Sequence, residues 1–218
     1  MEKDKDKLIE YLFDYINKLK KKTNVKRLKG HNVNKNCQFP ISLSKIIKDS
    51  EKIKFVEESI KEKEGKNFKY SLLFESSRDG DRASSFHQLC DNNAPILMIA
   101  KTKKNVIFGG YTTHALNGGS VEIRYKDDKA FCFNIEKKKI YNVKKGGDAL
   151  NCSANICFNF YNGKGDTVYI LDSFFSNSAS ICRTSDSEFE GMSIDFEINN
   201  GEQSYQISQL EVYKIVFE

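Results

Sequence analysis

Two residues with the chemistry of a nucleophile and a base lie close together in the sequence, His87 and Cys90. Residues three apart share a face of a helix, so the imidazole could take the thiol proton and leave a thiolate nucleophile. Catalysis of this kind also needs oxyanion donors and a group that orients the base, and the sequence indicates neither. The other interpretations are a redox-sensing Cys90, or a core thiol at Cys90 with His87 as a partly exposed cap.

A second polar group, Arg78-Asp79-Gly80-Asp81, offers two carboxylates beside an arginine. An Asp-Gly pair between a strand and a helix is typical of a tight turn, and Asp81 is then expected to cap the helix. The segment lacks the Gly and Glu that a calcium loop of the EF-hand type requires. The cysteines lack the close pairs of a zinc site. We therefore expect no metal and no cofactor.

The strongest charge feature is a basic block near the start of the chain that contains no acidic residue. Its seven members are Lys18, Lys20, Lys21, Lys22, Lys26, Arg27 and Lys29. Such a block binds phosphates by releasing counterions, so nucleic acid or an anionic lipid surface is a sensible partner. No aromatic residue lies within it to stack on bases. We favour the other interpretation, a solvated helix end whose lysines complement the helix dipole.

The segment Phe108-Gly109-Gly110-Tyr111 places two glycines inside an apolar strand. Glycine weakens a strand unless a bulge, or the close approach of another group, requires its bare backbone. A ligand could be that group, but an aromatic side chain packed over the backbone is the commoner cause.

The helices that accompany these residues follow from apolar spacing. Residues 2–22 predict an amphipathic helix that packs on the main body, on a second copy or on a partner, and its apolar face is Leu8, Ile9, Leu12, Phe13, Ile16 and Leu19. A polar, Asn-rich linker follows over residues 23–39. A second helical pattern begins after Pro40, with a segment that starts near Ser50, and ends at Gly65; its apolar set is Ile46, Ile47, Ile53, Val56 and Ile60.

From residue 70 onward the pattern changes to short segments rich in β-branched and aromatic residues. A helix over Arg82–Cys90, with Phe86 on its apolar face, interrupts them. Many short strands joined by turns predict a mainly β fold, a two-sheet antiparallel β-sandwich with flanking helices. The predicted strands are 70–74, 96–101, 105–113, 120–125, 130–135, 140–143, 167–172, 192–198 and 209–217.

Length and composition exclude several classes of protein. The chain has 218 residues, 39% of them hydrophobic, and a net charge of +5. It contains no apolar run of the roughly 20 residues that a membrane helix needs. The charged first residues lack the apolar core of a signal peptide. We therefore expect a cytoplasmic protein with reduced cysteines, and the nucleus is the other compartment open to it.

The order of motifs along the chain resembles the TLDc domain. The likeness covers about Ile41 to Phe217, so we predict an arm over residues 1–40 and a TLDc-like domain over 41–218. Two departures are Ile156–Phe160, where the family often has Gly-Pro-x-Phe-Gly, and the absence of tryptophan. The motifs are Ser71-Leu72-Leu73-Phe74, Ser76-Ser77-Arg78-Asp79-Gly80, Phe86-His87-Gln88-Leu89-Cys90-Asp91, Ile107-Phe108-Gly109-Gly110-Tyr111-Thr112, Asp128-Lys129-Ala130-Phe131-Cys132-Phe133, Asp166-Thr167-Val168-Tyr169-Ile170 and Leu210-Glu211-Val212-Tyr213-Lys214-Ile215.

The resemblance implies an antiparallel β-sandwich, an association with protection from oxidative stress, and binding to the vacuolar proton-pumping ATPase. It implies no catalytic residues. We expect a non-enzymatic protein-interaction module, with a nucleic-acid-binding stress regulator that uses the basic block as first alternative. A cysteine-dependent antioxidant protein at Cys90 is the second. The candidate binding or structural residues are Ser77, Arg78, Asp79, Gly80, Phe86, His87, Cys90, Phe108, Gly109, Gly110, Tyr111 and Glu211.

Overall fold

The computed structural model describes residues 44–119, 122–161, 166–177, 180–182, 189–191 and 196–218. The amphipathic helix predicted over residues 2–22, the linker after it and the basic block lie outside the described residues. The candidate residues from Ser77 to Glu211 all lie within them.

Helix α1 (Ser50–Glu64) and strand β1 (Phe68–Glu75) are followed by two short helices, α2 (Ser76–Asp79) and α3 (Ala83–Cys90). The remainder of the described chain is mostly strand. A short 3₁₀ helix over Glu197–Asn199 precedes the last two strands. The strands are β2 (Ile96–Thr102), β3 (Ile107–Thr112), β4 (Ile123–Lys126), β5 (Phe131–Asn134), β6 (Lys139–Asn142), β7 (Asp148–Cys152), β8 (Ile156–Tyr161), β9 (Asp166–Leu171), β10 (Ser180–Cys182), β11 (Ser204–Tyr205) and β12 (Ile207–Phe217).

The strands form two six-stranded antiparallel sheets. Sheet A has the order β1-β12-β2-β3-β5-β6, and sheet B has the order β11-β10-β9-β8-β7-β4. The last long strand, β12, is therefore inserted between β1 and β2, where it pairs with both. This arrangement confirms the predicted fold class, a mainly β protein built on two antiparallel sheets.

Apolar side chains form one core on each face of sheet A. The first core lies between the sheets and combines residues of both, among them Phe108 of β3 and Phe160 of β8. The second core lies between sheet A and helix α1, whose buried side chains are Ile53, Val56 and Ile60. The described residues thus form three layers, α1 over sheet A over sheet B.

Helix α1 confirms the predicted helical segment from near Ser50 to Gly65, but Ile46 and Ile47, which the prediction included, lie before the helix in non-helical backbone. The Asp49 side chain accepts a hydrogen bond from the Glu51 N–H at 2.9 Å, which satisfies one free donor of the first turn. Gly65 ends the helix with φ +65°, a left-handed conformation that glycine adopts without strain. Its N–H donates to the Lys61 carbonyl at 2.8 Å.

The strand prediction is wrong in two respects, because it omits β7, β8, β10 and β11 and it places a strand over 192–198. Strands β7 and β8 were not expected, because nearly all their residues are buried and such runs lack the alternation that marks a half-exposed strand. The strand expected over 192–198 is, in its described part, the 3₁₀ helix Glu197–Asn199. Phe196 and Asn200, which flank that helix, have φ of +61° and +53°, a conformation incompatible with continuous extended backbone.

Candidate functional site

Glu211 is a buried carboxylate in the middle of β12, only 2% exposed. It accepts three hydrogen bonds, from the Ser44 hydroxyl at 2.7 Å, the Lys45 N–H at 2.7 Å and the Tyr213 hydroxyl at 2.9 Å. The Ser44 hydroxyl in turn accepts from the Ile47 N–H at 2.9 Å. Hydrogen bonds to an ionised acceptor are roughly twice as strong as neutral ones. Glu211 therefore anchors the segment that leads into α1 onto sheet A.

The turn Ser76–Gly80 lies beside Glu211, because Glu75 is the register partner of Glu211. The Ser76 hydroxyl accepts from the Leu210 N–H of β12 at 2.9 Å. Gly80 closes the turn with φ +84°, and its N–H donates to the Ser76 carbonyl at 3.1 Å. We call this turn, together with Lys45, Glu75 and Glu211, the corner site.

Arg78 and Asp79 form a two-point ion pair within the corner site. Arg78 donates through Nε to Asp79 Oδ1 and through Nη2 to Asp79 Oδ2, both at 2.7 Å. Asp79 Oδ2 also accepts the Glu75 N–H at 2.8 Å. The bonds from Arg78 lower the pKa of the Asp79 carboxyl, although partial burial works against them. The pair is therefore ionised over the physiological range.

Lys45 and Ser77 complete the outer side of the corner site. The Lys45 ammonium lies 2.5 Å from Glu75 Oε1, and the Ser77 hydroxyl donates to the same oxygen. The hydrogen bond from Lys45, followed by the one from Ser77, lowers the pKa of Glu75. Since Lys45 and Ser77 are exposed, this contact contributes little stability. It does connect the segment that leads into α1 to the end of β1.

We expect Asp79→Asn to make the free energy of unfolding depend less on pH in the acid range. Since the folded pKa of Asp79 is lowered, its contribution is complete above the unfolded pKa of about 3.9 and is lost as the pH falls through the folded pKa. Urea unfolding from about pH 2 to pH 6 measures this. The difference in unfolding free energy between the native chain and the variant should shrink toward low pH. A difference that stays constant over this range would contradict the role of the carboxylate.

The expectation that Asp81 caps the following helix is wrong. Helix α3 begins after Arg82, whose side chain makes no capping bond. The cap comes from Asp172, at the end of β9, whose Oδ1 accepts the Ala83 N–H at 2.7 Å. Asp81 instead accepts through Oδ2 from the Phe175 N–H at 3.3 Å. Sequence alone could not reveal a cap supplied by a residue 89 positions away.

His87 joins helix α3 to sheet B. Its Nδ1 lies 2.8 Å from Asp91 Oδ1, and its Nε2 lies 3.1 Å from the Ser153 carbonyl and 3.0 Å from the Ile156 carbonyl. All three partners are oxygen atoms, so both ring nitrogens make their hydrogen bonds within the fold. A Cβ at Gly118 would lie 2.5 Å from the ring, so glycine is required there. His87 therefore connects helix α3 to sheet B through hydrogen bonds, and its side chain is 11% exposed.

Cys90 lies on the same helix but faces the core between the sheets, where it is fully buried. Burial raises the pKa of its thiol, and the carboxylate of Asp91 adds to the effect. The thiolate–imidazolium pair considered above therefore does not form in this geometry, since the imidazole is held by oxygen acceptors. Among the interpretations from sequence, a core thiol is the one that fits. Phe86, also fully buried, packs edge-on against Phe74 at 5.4 Å.

Iodoacetamide is expected to leave Cys90 and Cys157 unmodified in the folded chain. Both thiols are buried and burial raises the pKa of each, so little thiolate is available to react. Peptide mass spectrometry measures the modified fraction, and the same reaction in concentrated urea serves as the control that should modify both. Fast modification of Cys90 in the native chain would restore the redox interpretation.

Gly109 and Gly110 in β3 are required by packing on opposite faces of sheet A. A Cβ at Gly109 would lie 2.1 Å from the Met98 carbonyl oxygen and 2.4 Å from the Phe133 ring. A Cβ at Gly110 would lie 1.8 Å from the ring of Phe160 in sheet B. The interpretation that aromatic side chains pack over bare backbone is confirmed.

Tyr111, the last residue of this motif, links β3 to helix α1. Its hydroxyl donates to Glu64 Oε1 at 2.9 Å, and the ammonium of Lys129 lies 2.7 Å from Glu64 Oε2. Phe108, at the other end of the motif, is fully buried and packs edge-on against Tyr205 at 5.2 Å. Both aromatic residues therefore contribute to the cores.

Sequence reasoning missed a second buried carboxylate, Asp127, which is 5% exposed. It accepts from the Thr112 hydroxyl at 2.8 Å, the Thr113 N–H at 2.6 Å and the Lys129 N–H at 3.1 Å. It thereby holds the end of β3 against the turn before β5. The only sequence signal was its place in the turn-like Asp-Asp-Lys, which does not distinguish a buried carboxylate from an exposed one.

The candidate residues that the structure describes therefore occupy three separate places, the corner site, helix α3 and strand β3. Within the described residues, no group of three His, Cys, Asp or Glu side chains is arranged to hold a metal ion. An open depression of about 390 Å³ lies between the β2–β3 turn and β11, and no candidate residue lines it. Its lining includes Lys103, Lys104, Asn199, Glu202 and Tyr205.

Comparison with known proteins gives one positive result. The family model described as the TLDc domain matches residues 41–216, which is most of the chain. A comparison with curated proteins finds no significant match. In the part of the chain that the structure describes, no helix is long and apolar enough to cross a membrane.

Proposed function

Because this chain belongs to the TLDc domain family, an oxidative-stress-related family of modules, we propose that it acts as a non-enzymatic interaction module that binds a protein partner. The proposal rests on the contacts that the candidate side chains make within the fold. Glu211, Asp79 and His87 direct their hydrogen bonds at neighbouring segments of the fold. Cys90 is buried in the core. These groups are therefore placed to maintain the sandwich, and its surface is what a partner would contact.

The proposed partner is the vacuolar proton-pumping ATPase, which the resemblance to the TLDc domain implies. The three-layered body supports this kind of role, because a surface that is folded before binding avoids much of the entropic cost of ordering. Binding to the pump would connect the module to the stress response, and this role would not require the module to convert a small molecule.

Affinity enrichment from a nuclease-treated native extract tests the proposal. The bait is the full chain, and the matched control replaces all seven residues of the basic block with Gln. We expect both baits to recover subunits of the proton pump, because the described sandwich is unchanged in the control. Recovery of no pump subunit by either bait would reject the proposed partner.

A second function is favoured by one sequence observation, the seven basic residues between Lys18 and Lys29. We propose binding of nucleic acid by this block as the alternative. If all seven contact phosphates, the logarithm of the affinity for duplex DNA should fall with the logarithm of salt concentration with a slope of about −6. The Gln variant should lose this binding. Binding that is insensitive to salt, or unchanged in the variant, would remove the alternative.

A further inference from the structure

Strand β1 is the longest edge strand among the described residues. Sheet A ends on β1 and β6, and sheet B ends on β11 and β4. β1 has eight residues, whereas the other three edges have four or fewer. An edge strand presents unpaired N–H and C=O groups that can pair with a strand of another chain, and short edges reduce that hazard. Among the strands that the structure describes, β1 is therefore the edge that most needs protection.

Side chains bind two backbone groups of β1 that a further strand would otherwise use. The register with β12 skips Leu73, which marks a bulge. The Leu73 carbonyl accepts from Arg78 Nη2 at 3.2 Å, and the Glu75 N–H donates to Asp79 Oδ2 at 2.8 Å. One side-chain acceptor and one side-chain donor thus reproduce, at the end of β1, the bonds that a neighbouring strand would make.

The ion pair is held in this position by the turn that carries it. The two bonds between Arg78 and Asp79 fix the side chains relative to each other. The Ser76 hydroxyl fastens the start of the turn to β12, and Gly80 closes it. Asp79 is 13% exposed while Arg78 is 52% exposed, so the carboxylate lies against the strand and the guanidinium covers it.

We propose that the Arg78–Asp79 pair is an edge plug that prevents β1 from pairing with β1 of a second copy of this chain. A second copy is the occupant that symmetry favours, because two identical edge strands related by a two-fold axis pair antiparallel. Such pairing would join two copies of sheet A into one continuous sheet. The plug blocks it by occupying the Leu73 and Glu75 backbone groups with a charged pair.

The double variant Arg78→Ala/Asp79→Ala tests the plug without changing the net charge. We expect it to dimerise at a protein concentration at least tenfold lower than the native chain, as measured by sedimentation velocity. The matched control is Lys104→Ala/Glu202→Ala, which removes another surface ion pair, of 2.7 Å, away from β1. The control should sediment like the native chain.

Arg78→Gln provides a second measurement, since it frees the Leu73 carbonyl but keeps the bond between Asp79 and the Glu75 N–H. We expect it to associate more strongly than the native chain and less strongly than the double variant. Near-ultraviolet circular dichroism reports whether each variant is folded. If the double variant is folded and no more associated than the control, the proposal is wrong. If the double variant is unfolded, a folded Arg78→Gln that sediments like the native chain overturns it.

Discussion

Gly110→Ala is expected to destabilise the folded chain by about 3 kcal/mol, the upper part of the usual range for overpacking a core. The added Cβ would lie 1.8 Å from one ring carbon of Phe160 and 3.0 Å from the Phe131 carbonyl oxygen. Phe160 is fully buried between the sheets, so the overlap would fall inside the core. Urea unfolding followed by circular dichroism gives the change in free energy.

A double-mutant cycle identifies the cause of that loss. Phe160→Leu alone should destabilise the chain by leaving a cavity, whereas in the Gly110→Ala background it should cost less because it relieves the overlap. Gly119→Ala is the matched control, since the nearest atom to its Cβ is the flexible Asn117 amide oxygen at 3.3 Å. We expect the control to change stability by less than about 0.5 kcal/mol. Additive effects of Gly110→Ala and Phe160→Leu would contradict the packing explanation.

Glu211→Ala is expected to cost about 3 kcal/mol, because it leaves buried hydrogen-bond donors unpaired and an unsatisfied buried group costs about 1–3 kcal/mol. The donors left behind are the Ser44 hydroxyl, the Lys45 N–H and the Tyr213 hydroxyl. The loss should also be local. Hydrogen exchange should become faster from residue 45 through α1 before it changes in sheet B.

The control for this local effect is Glu58→Ala on helix α1. Glu58 is 64% exposed, and its ion pair with Lys54 is 3.6 Å long, so we expect a change of less than about 0.5 kcal/mol. Hydrogen exchange that rises equally in both sheets of Glu211→Ala would show that Glu211 supports the whole fold and does not specifically anchor the lead-in segment.

Local patterns predicted much of the fold. Helix α1 is predictable from its buried residues Ile53, Val56 and Ile60, because their spacing places them on one face. Its end is predictable from Gly65, which adopts the left-handed conformation that ends the helix. Strands β7 and β8 were missed because both of their faces are covered, which removes the alternation that sequence analysis detects. Local patterns do not predict the order of strands in a sheet, because the insertion of β12 between β1 and β2 depends on contacts between residues far apart in the sequence.

The motifs in the sequence locate the candidate residues, but they do not predict the contacts that these residues make. The segment Arg78-Asp79-Gly80-Asp81 predicts a turn, and the structure adds that Arg78 and Asp79 bind the backbone of β1. The His87–Cys90 pair looked plausible from spacing alone, yet the oxygen partners of His87 come from Asp91 and from residues 66 and 69 positions away. Helix periodicity carries no information on such distant acceptors. The same limit applies to Asp172 as a cap.

The most direct measurement of the proposed function is binding of the purified full chain to the purified vacuolar proton-pumping ATPase, with peroxide consumption followed in the same samples. We predict saturable binding that Cys90→Ser leaves unchanged, and no consumption of peroxide above buffer. Absence of binding, together with peroxide consumption that Cys90→Ser abolishes while the chain stays folded, would contradict the interaction module and support thiol chemistry instead.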